Sequence, residues 1–231
     1  MKTQNQVYHR RPGAFTLMEL LIVISIIAIL AALIFPVGAA LKNKAALSKA
    51  KAELTNLIQA IEQYKMKYGY YPPDHIPATG LNPVYNSLYF ELVGSERTGT
   101  VGNYTYTTLD GAAKITEADC LSQLGTGAIL NAKKLGDEEA KPAEKFLPVI
   151  KPGQYYEYTF GASTIRLLKC SVPWPEKAVA VIPGVPAVNP FRYVKNGINN
   201  AGGFDLWVDV VVGGKTNRIS NWSSAAETVY Y

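Results

Sequence analysis

Apolar residues crowd the start of the chain. From Phe15 to Pro36 they run on, interrupted only by Thr16, Glu19 and Ser25, and Glu19 is the single charge among them. As a helix this run is roughly 33 Å long, enough to cross a bilayer. Past Pro36 the pattern turns amphipathic. Leu41, Leu47, Ala50, Leu54, Leu57, Ile58, Ile61, Tyr64 and Tyr68 recur at spacings of three and four, and lysines and glutamates fill the opposite face. That is a helical stripe. Gly69 and the pair Pro72-Pro73 stop it. The pattern predicts one helix from Phe15 to Tyr68, bent or locally opened at Pro36, which removes one backbone hydrogen bond. Ala28, Ala31 and Ala32 would let helices approach closely, and equally suit any membrane helix.

Beyond Gly69 the chain is polar, tyrosine-rich and turn-rich. Asn86 to Glu91 reads as a short helix, and Tyr104 to Thr108 as a strand within Gly99 to Gly111. Thr116 to Lys134 reads as helical despite Gly125 and Gly127, and Gly136 to Lys145 as a charged, solvated loop. Strand signals gather over Tyr155–Phe160, Thr164–Cys170 and Ala178–Ile182. Phe204–Val212 and Lys215–Ser220 flank Gly213-Gly214, a hairpin signal. The expected fold class is α+β: a long N-terminal helix packed on a C-terminal antiparallel β-sheet head. The expected divisions are 1–14, a basic leader; 15–36, a transmembrane and assembly helix; 37–69, its amphipathic continuation; and 70–231, a globular head.

A carboxylate among lipid tails is costly and points to function by default. The residues ahead of Phe15 narrow that function. Met1 to Ala14 holds Lys2, Arg10 and Arg11 and no acid, then closes on Pro12, Gly13 and Ala14. A basic leader, a small residue, Phe15-Thr16-Leu17, Glu19 and an unbroken aliphatic helix together resemble the prepilin family, which includes type IV pilins and the pseudopilins of type II secretion. The resemblance implies cleavage between Ala14 and Phe15 by a prepilin peptidase and N-methylation of Phe15, with Gly13 leaving the neighbouring bond as the alternative. Cutting at Ala14 makes Glu19 the fifth residue of the processed chain and puts Pro36 where such helices often kink. The new α-amine of Phe15 is positive at neutral pH, and the helix dipole disfavours it. Glu19 of one subunit would neutralise the Phe15 amine of the next and so set the axial register. A secretory signal also has a basic start and an apolar core, and Gly38, Ala39 and Ala40 would offer it a cleavage site. The length of the run and the presence of Glu19 argue against that reading.

A second resemblance lies near the C-terminus. Asn189 to Val194, Gly202 to Trp207 and Ile219 to Trp222 are similar to the head of the G-type, or major, pseudopilin, though the likeness fades between Pro73 and Asn189. That group often binds calcium between its last strands. Here Asp205 and Asp209 are the weak candidates, because calcium takes six to eight oxygens and the loop has gained Lys215. The other reading is a plain hairpin with Asp209 facing solvent. Cys120 and Cys170 would lie outside the cytoplasm, where a disulfide can form; two separate buried thiols are the alternative.

Net charge is +5, with 23 Lys and Arg against 18 Asp and Glu. Setting aside Lys2, Arg10 and Arg11 leaves +2 on side chains, too little to argue for nucleic acid. The basic leader predicts a cytoplasmic N-terminus, a single inner-membrane pass and a periplasmic head. No catalytic constellation, no His/Cys metal spacing and no cofactor motif stands out; His9 lies in the leader and His75 follows it alone. The expected role is a non-enzymatic pseudopilus subunit that forms a filament with its own kind, meeting the peptidase, the membrane and the secretion assembly platform. A type IV pilin for adhesion, motility or DNA uptake is one alternative, and a membrane-anchored enzyme or binding protein another.

Overall fold

The computed structural model describes residues 15–74, 82–134, 136, 142–147 and 149–230, and for 33–37 and 39 the backbone alone. The leader with Gly13 and Ala14, the side chain of Pro36, and His75 therefore lie outside the described residues. The chain falls into two compact units, Met1–Asn43 and Lys44–Tyr231. Helix α1 (Leu17–Tyr68) runs as one 52-residue element, as the periodicity predicts, and its assignment continues through Pro36. Among the described residues no helix is long and apolar enough to cross a membrane.

In the second unit the α1 stripe is the spine of the core. Ala50, Leu54, Leu57, Ala60, Ile61 and Tyr64 are buried, which places them on one helical face. Ile58 and Tyr68 sit at its margin, and Leu41, expected in the stripe, is exposed. Gly69, with φ +84°, donates its N–H to the Lys65 carbonyl and closes the helix.

Helix α2 (Leu88–Val93) starts two residues later than the sequence suggests. Asn86 is used ahead of it: its Oδ1 accepts the Leu88 N–H, and its Nδ2 donates to the Phe191 carbonyl. Every residue of α2 is buried.

Six strands form the first sheet: β1 (Ser95–Thr100), β2 (Asn103–Thr108), β3 (Lys114–Thr116), β4 (Ala132–Lys134), β5 (Tyr155–Phe160) and β6 (Ser163–Leu168), in the order β4-β1-β2-β3-β6-β5. β4 runs parallel to β1; all the other pairs are antiparallel. The second sheet, β10-β9-β8-β7, is antiparallel throughout and comprises β7 (Arg192–Val194), β8 (Asp205–Val212), β9 (Lys215–Ser220) and β10 (Glu227–Val229). Leu206, Val208 and Val210 alternate along β8 and are fully buried, so they share one face of that sheet. They join the α1 stripe, α2 and β6 in a single core.

The expected α+β head of antiparallel strands is present, divided between two sheets with β4 as the one parallel addition. Several finer expectations need correction. Thr116–Lys134 is a short helix, α3 (Glu117–Leu124), followed by a turn and β4. Thr116 caps α3 by accepting the Asp119 N–H, and left-handed Gly125 ends it, so the helix cannot reach Lys134. Ala178–Ile182 is not a strand; Ile182 only bridges Val185. In the charged stretch after Gly136, Glu144 is more than a solvated acid. It pairs with Lys67, and its backbone N–H and C=O are both bonded by the Asn131 side chain.

Candidate functional site

The start of α1 is built by two side chains. Thr16 stands just before the helix and Glu19 lies in its first turn. The Glu19 Oε2 accepts the Thr16 N–H at 2.9 Å and the Thr16 hydroxyl at 2.8 Å, while the Glu19 N–H donates to Thr16 Oγ1 at 3.2 Å. This reciprocal arrangement is a capping box, which satisfies donors that a helix start otherwise leaves orphaned. Thr16 is a site residue that the resemblance alone passes over. Its signal was present in the sequence, because Thr16 and Glu19 stand at the spacing a capping box requires. No described residue bonds the other oxygen, Glu19 Oε1, so the box occupies one side of the carboxylate and leaves the second presented.

Phe15 precedes the box and is 81% exposed. Behind it Leu17, Leu20, Leu21, Ile24, Ile27 and Leu30 are all half exposed or more, and the large apolar residues between them are exposed too. A helix that is apolar on every side has no face to give to water. Ser25 hides its hydroxyl by donating to the Leu21 carbonyl, so it adds little polarity.

The carboxylates proposed for calcium do other work. Asp205 Oδ2 accepts the N–H groups of Ile198 and Asn199 and the Asn199 side chain, and Oδ1 accepts the Asn200 N–H. It thus organises the loop before β8. The fit is close: a Cβ on Gly197 would lie 2.7 Å from Asp205 Oδ1 and 2.8 Å from the Asn200 carbonyl. Asp209, expected to face solvent, is fully buried. Its oxygens meet Arg218 Nε at 2.9 Å and Nη2 at 3.2 Å, with Arg192 at 3.5 Å. Carboxylates already spent on N–H donors and guanidinium groups are poor calcium ligands. Among the described residues no three His, Cys, Asp or Glu side chains converge as a metal site.

Cys120 and Cys170 are free and buried, so the disulfide is absent. Burial pushes each thiol up to about 12. Such thiols stay protonated and inert at neutral pH.

One node escaped the sequence reading. Glu91, on α2, is fully buried. Its carboxylate accepts the Tyr64 hydroxyl at 3.0 Å, the Leu130 N–H at 2.7 Å and the Asn131 N–H at 2.8 Å. Desolvation pushes it up to about 7, against the lowering effect of those three bonds. The cue was an acid inside the otherwise apolar Leu88–Val93; it ties α1, α2 and the approach to β4 together.

Comparison with known proteins bears on the N-terminus. Residues 9–35 match the prokaryotic N-terminal methylation motif. The chain therefore carries a prepilin-type processing signal, which implies a prepilin peptidase, an inner-membrane-anchored precursor and pilus-type assembly of the kind type IV pilin-like subunits use. No curated protein and no solved structure matches the chain.

Proposed function

We propose that this protein is a structural subunit of a type II secretion pseudopilus, cleaved between Ala14 and Phe15, methylated on Phe15, and assembled through its N-terminal helix. The observation that carries the reading is the capping box directly behind Phe15. Thr16 holds Glu19 at the helix start with Oε1 presented, where the freed amine of an adjoining subunit needs a counter-charge. A charge taken out of water is tolerated when it is paired.

The apolar sheath of α1 supports the same reading. In the precursor, lipid covers it; in the filament, the helices of neighbouring subunits replace the lipid, with Ala28 and Ala32 allowing close approach. The basic leader keeps the N-terminus cytoplasmic until cleavage, and the head stands in the periplasm. Work is then mechanical: subunits leave the membrane, stack, and extend a short fibre that moves cargo outward.

The choice of secretion over a type IV pilus rests on the C-terminal resemblance from Asn189 to Trp222. Mass spectrometry of the purified chain tests the processing step. A mature N-terminus at methylated Phe15 is expected, and an intact Met1 would overturn it. Deleting the gene and assaying export against long surface fibres separates the two assemblies: loss of export with fibres unaffected is the expected result.

A further inference from the structure

Past its apolar run the long helix carries charge of one sign. Lys42, Lys44, Lys49 and Lys51 are the only charged residues between Glu19 and Glu53, and Lys42 follows directly on the uncharged stretch 20–41. All four are exposed, and among the described residues none takes part in an ion pair. Lys51 donates to the Ser224 carbonyl at 2.6 Å, a neutral partner that leaves its charge uncancelled. Glu53, the first acid after them, is spent elsewhere: it accepts the N–H and the hydroxyl of Ser171. The positive-inside bias accounts for the leader, at the other end of the apolar run, and gives no reason for lysines here.

Three of the four belong to the second compact unit. At about 100° of turn per residue, Lys49 lies to one side of buried Ala50 and Lys51 to the other, and Lys44 stands two turns before Lys51 on the same side. The buried stripe therefore leaves two flanks, and both are cationic. Lys44 to Lys51 covers about 10 Å of helix, close to the Debye length of about 8 Å at physiological salt. An anionic surface met at one end is felt at the other.

We infer that Lys44, Lys49 and Lys51 form a docking surface for the anionic phospholipid headgroups of the membrane that holds the precursor. Charge and position together select this partner. The lysines lack protein counter-charges and follow the apolar stretch on the same helix. Their long stems let the ammonium groups bend toward phosphates without moving the backbone. Each lysine near an anionic surface strengthens the attraction about fivefold. A second copy packed through the same helix would bring like charge to like charge at this stretch. This surface needs the membrane-anchored precursor that the N-terminal motif implies, and stands whichever assembly the subunit serves.

The test uses the full chain in phosphatidylcholine nanodiscs, its lysines carried as isotope-labelled dimethyl derivatives that keep their charge. A small fraction of the lipid bears a nitroxide near the head end of an acyl chain, on phosphatidylglycerol in one sample and phosphatidylcholine in the other. The Lys44, Lys49 and Lys51 signals should be relaxed at least about threefold more by the anionic lipid in dilute salt, and equally by both in molar salt. Lys44→Gln should lower the preference at Lys49 and Lys51, and Lys44→Arg should restore it. Equal relaxation in dilute salt, or a preference untouched by molar salt or by Lys44→Gln, would overturn the inference. So would signals that change with the number of copies per disc and not with lipid charge, which would assign the lysines to acids of a second copy. A chain that fails to enter the discs would sink the anchorage together with this surface, whereas an intact Met1 in cells would sink the processing step alone.

Discussion

The Tyr64 hydroxyl donates to the Glu91 carboxylate at 3.0 Å, joining the long helix to a short one inside the core. The acceptor is an acid fully removed from water whose three donors are all uncharged. Tyr68, Cys120 and Tyr193, which also feel Glu91, are neutral at physiological pH as well. Burial lifts Glu91 to about 7, above its ordinary 4.5. The folded protein therefore holds this proton more tightly than the unfolded chain does.

Stability should accordingly be highest below about pH 4.5 as far as this group is concerned, and should fall as pH rises to about 7. The loss is about 3 kcal/mol, because each tenfold difference in proton affinity between the folded and unfolded chain is worth about 1.4 kcal/mol. Denaturant titrations across that window should show the slope, and Glu91→Gln should flatten it. Glu91→Ala strands three buried donors and should cost roughly 3 kcal/mol or more; Tyr64→Phe should cost about 1–3 kcal/mol.

The Thr16–Glu19 box separates capping from charge. Glu19→Gln keeps an acceptor for Thr16 but removes the anion, so the helix start should survive while filament incorporation fails. Thr16→Ser should behave as wild type, and Thr16→Val should impair incorporation with Glu19 intact. Crosslinking of assembled subunits in membranes reads the outcome. Normal incorporation of Glu19→Gln would remove the pairing role.

Asp209 sits between Arg218 and Arg192 with no exposure of its own. Asp209→Asn leaves guanidinium groups without their anion and should cost about 3–5 kcal/mol, measured by thermal or urea unfolding. Millimolar calcium should leave the melting temperature of the wild type unchanged, because a ligand stabilises only a state that binds it.

Both cysteines should be invisible to a thiol reagent in the folded protein and react in full after denaturation. Protein handled with and without reductant should give the same mass, since neither sulfur is bridged.

The long helix ending at Tyr68, the hairpin at Gly213-Gly214, the strand character of β5 and β6 and the α+β class were legible in the chain, because each rests on local periodicity and punctuation. The Thr16–Glu19 spacing was legible too, since a capping box is a contact within one turn.

Tertiary structure decided the rest. β1, β4, β7 and β10 are short or lack apolar alternation, and their strand character comes from the neighbour each one pairs with. Asp209 reads as a solvent-facing strand acid until the register sets Arg218 opposite it. Glu91 reads only as the last residue of a short helix until α1 supplies Tyr64 from 27 positions away. Sequence carries the interactions a segment makes with itself; burial and charge pairing belong to contacts that exist only once distant segments meet.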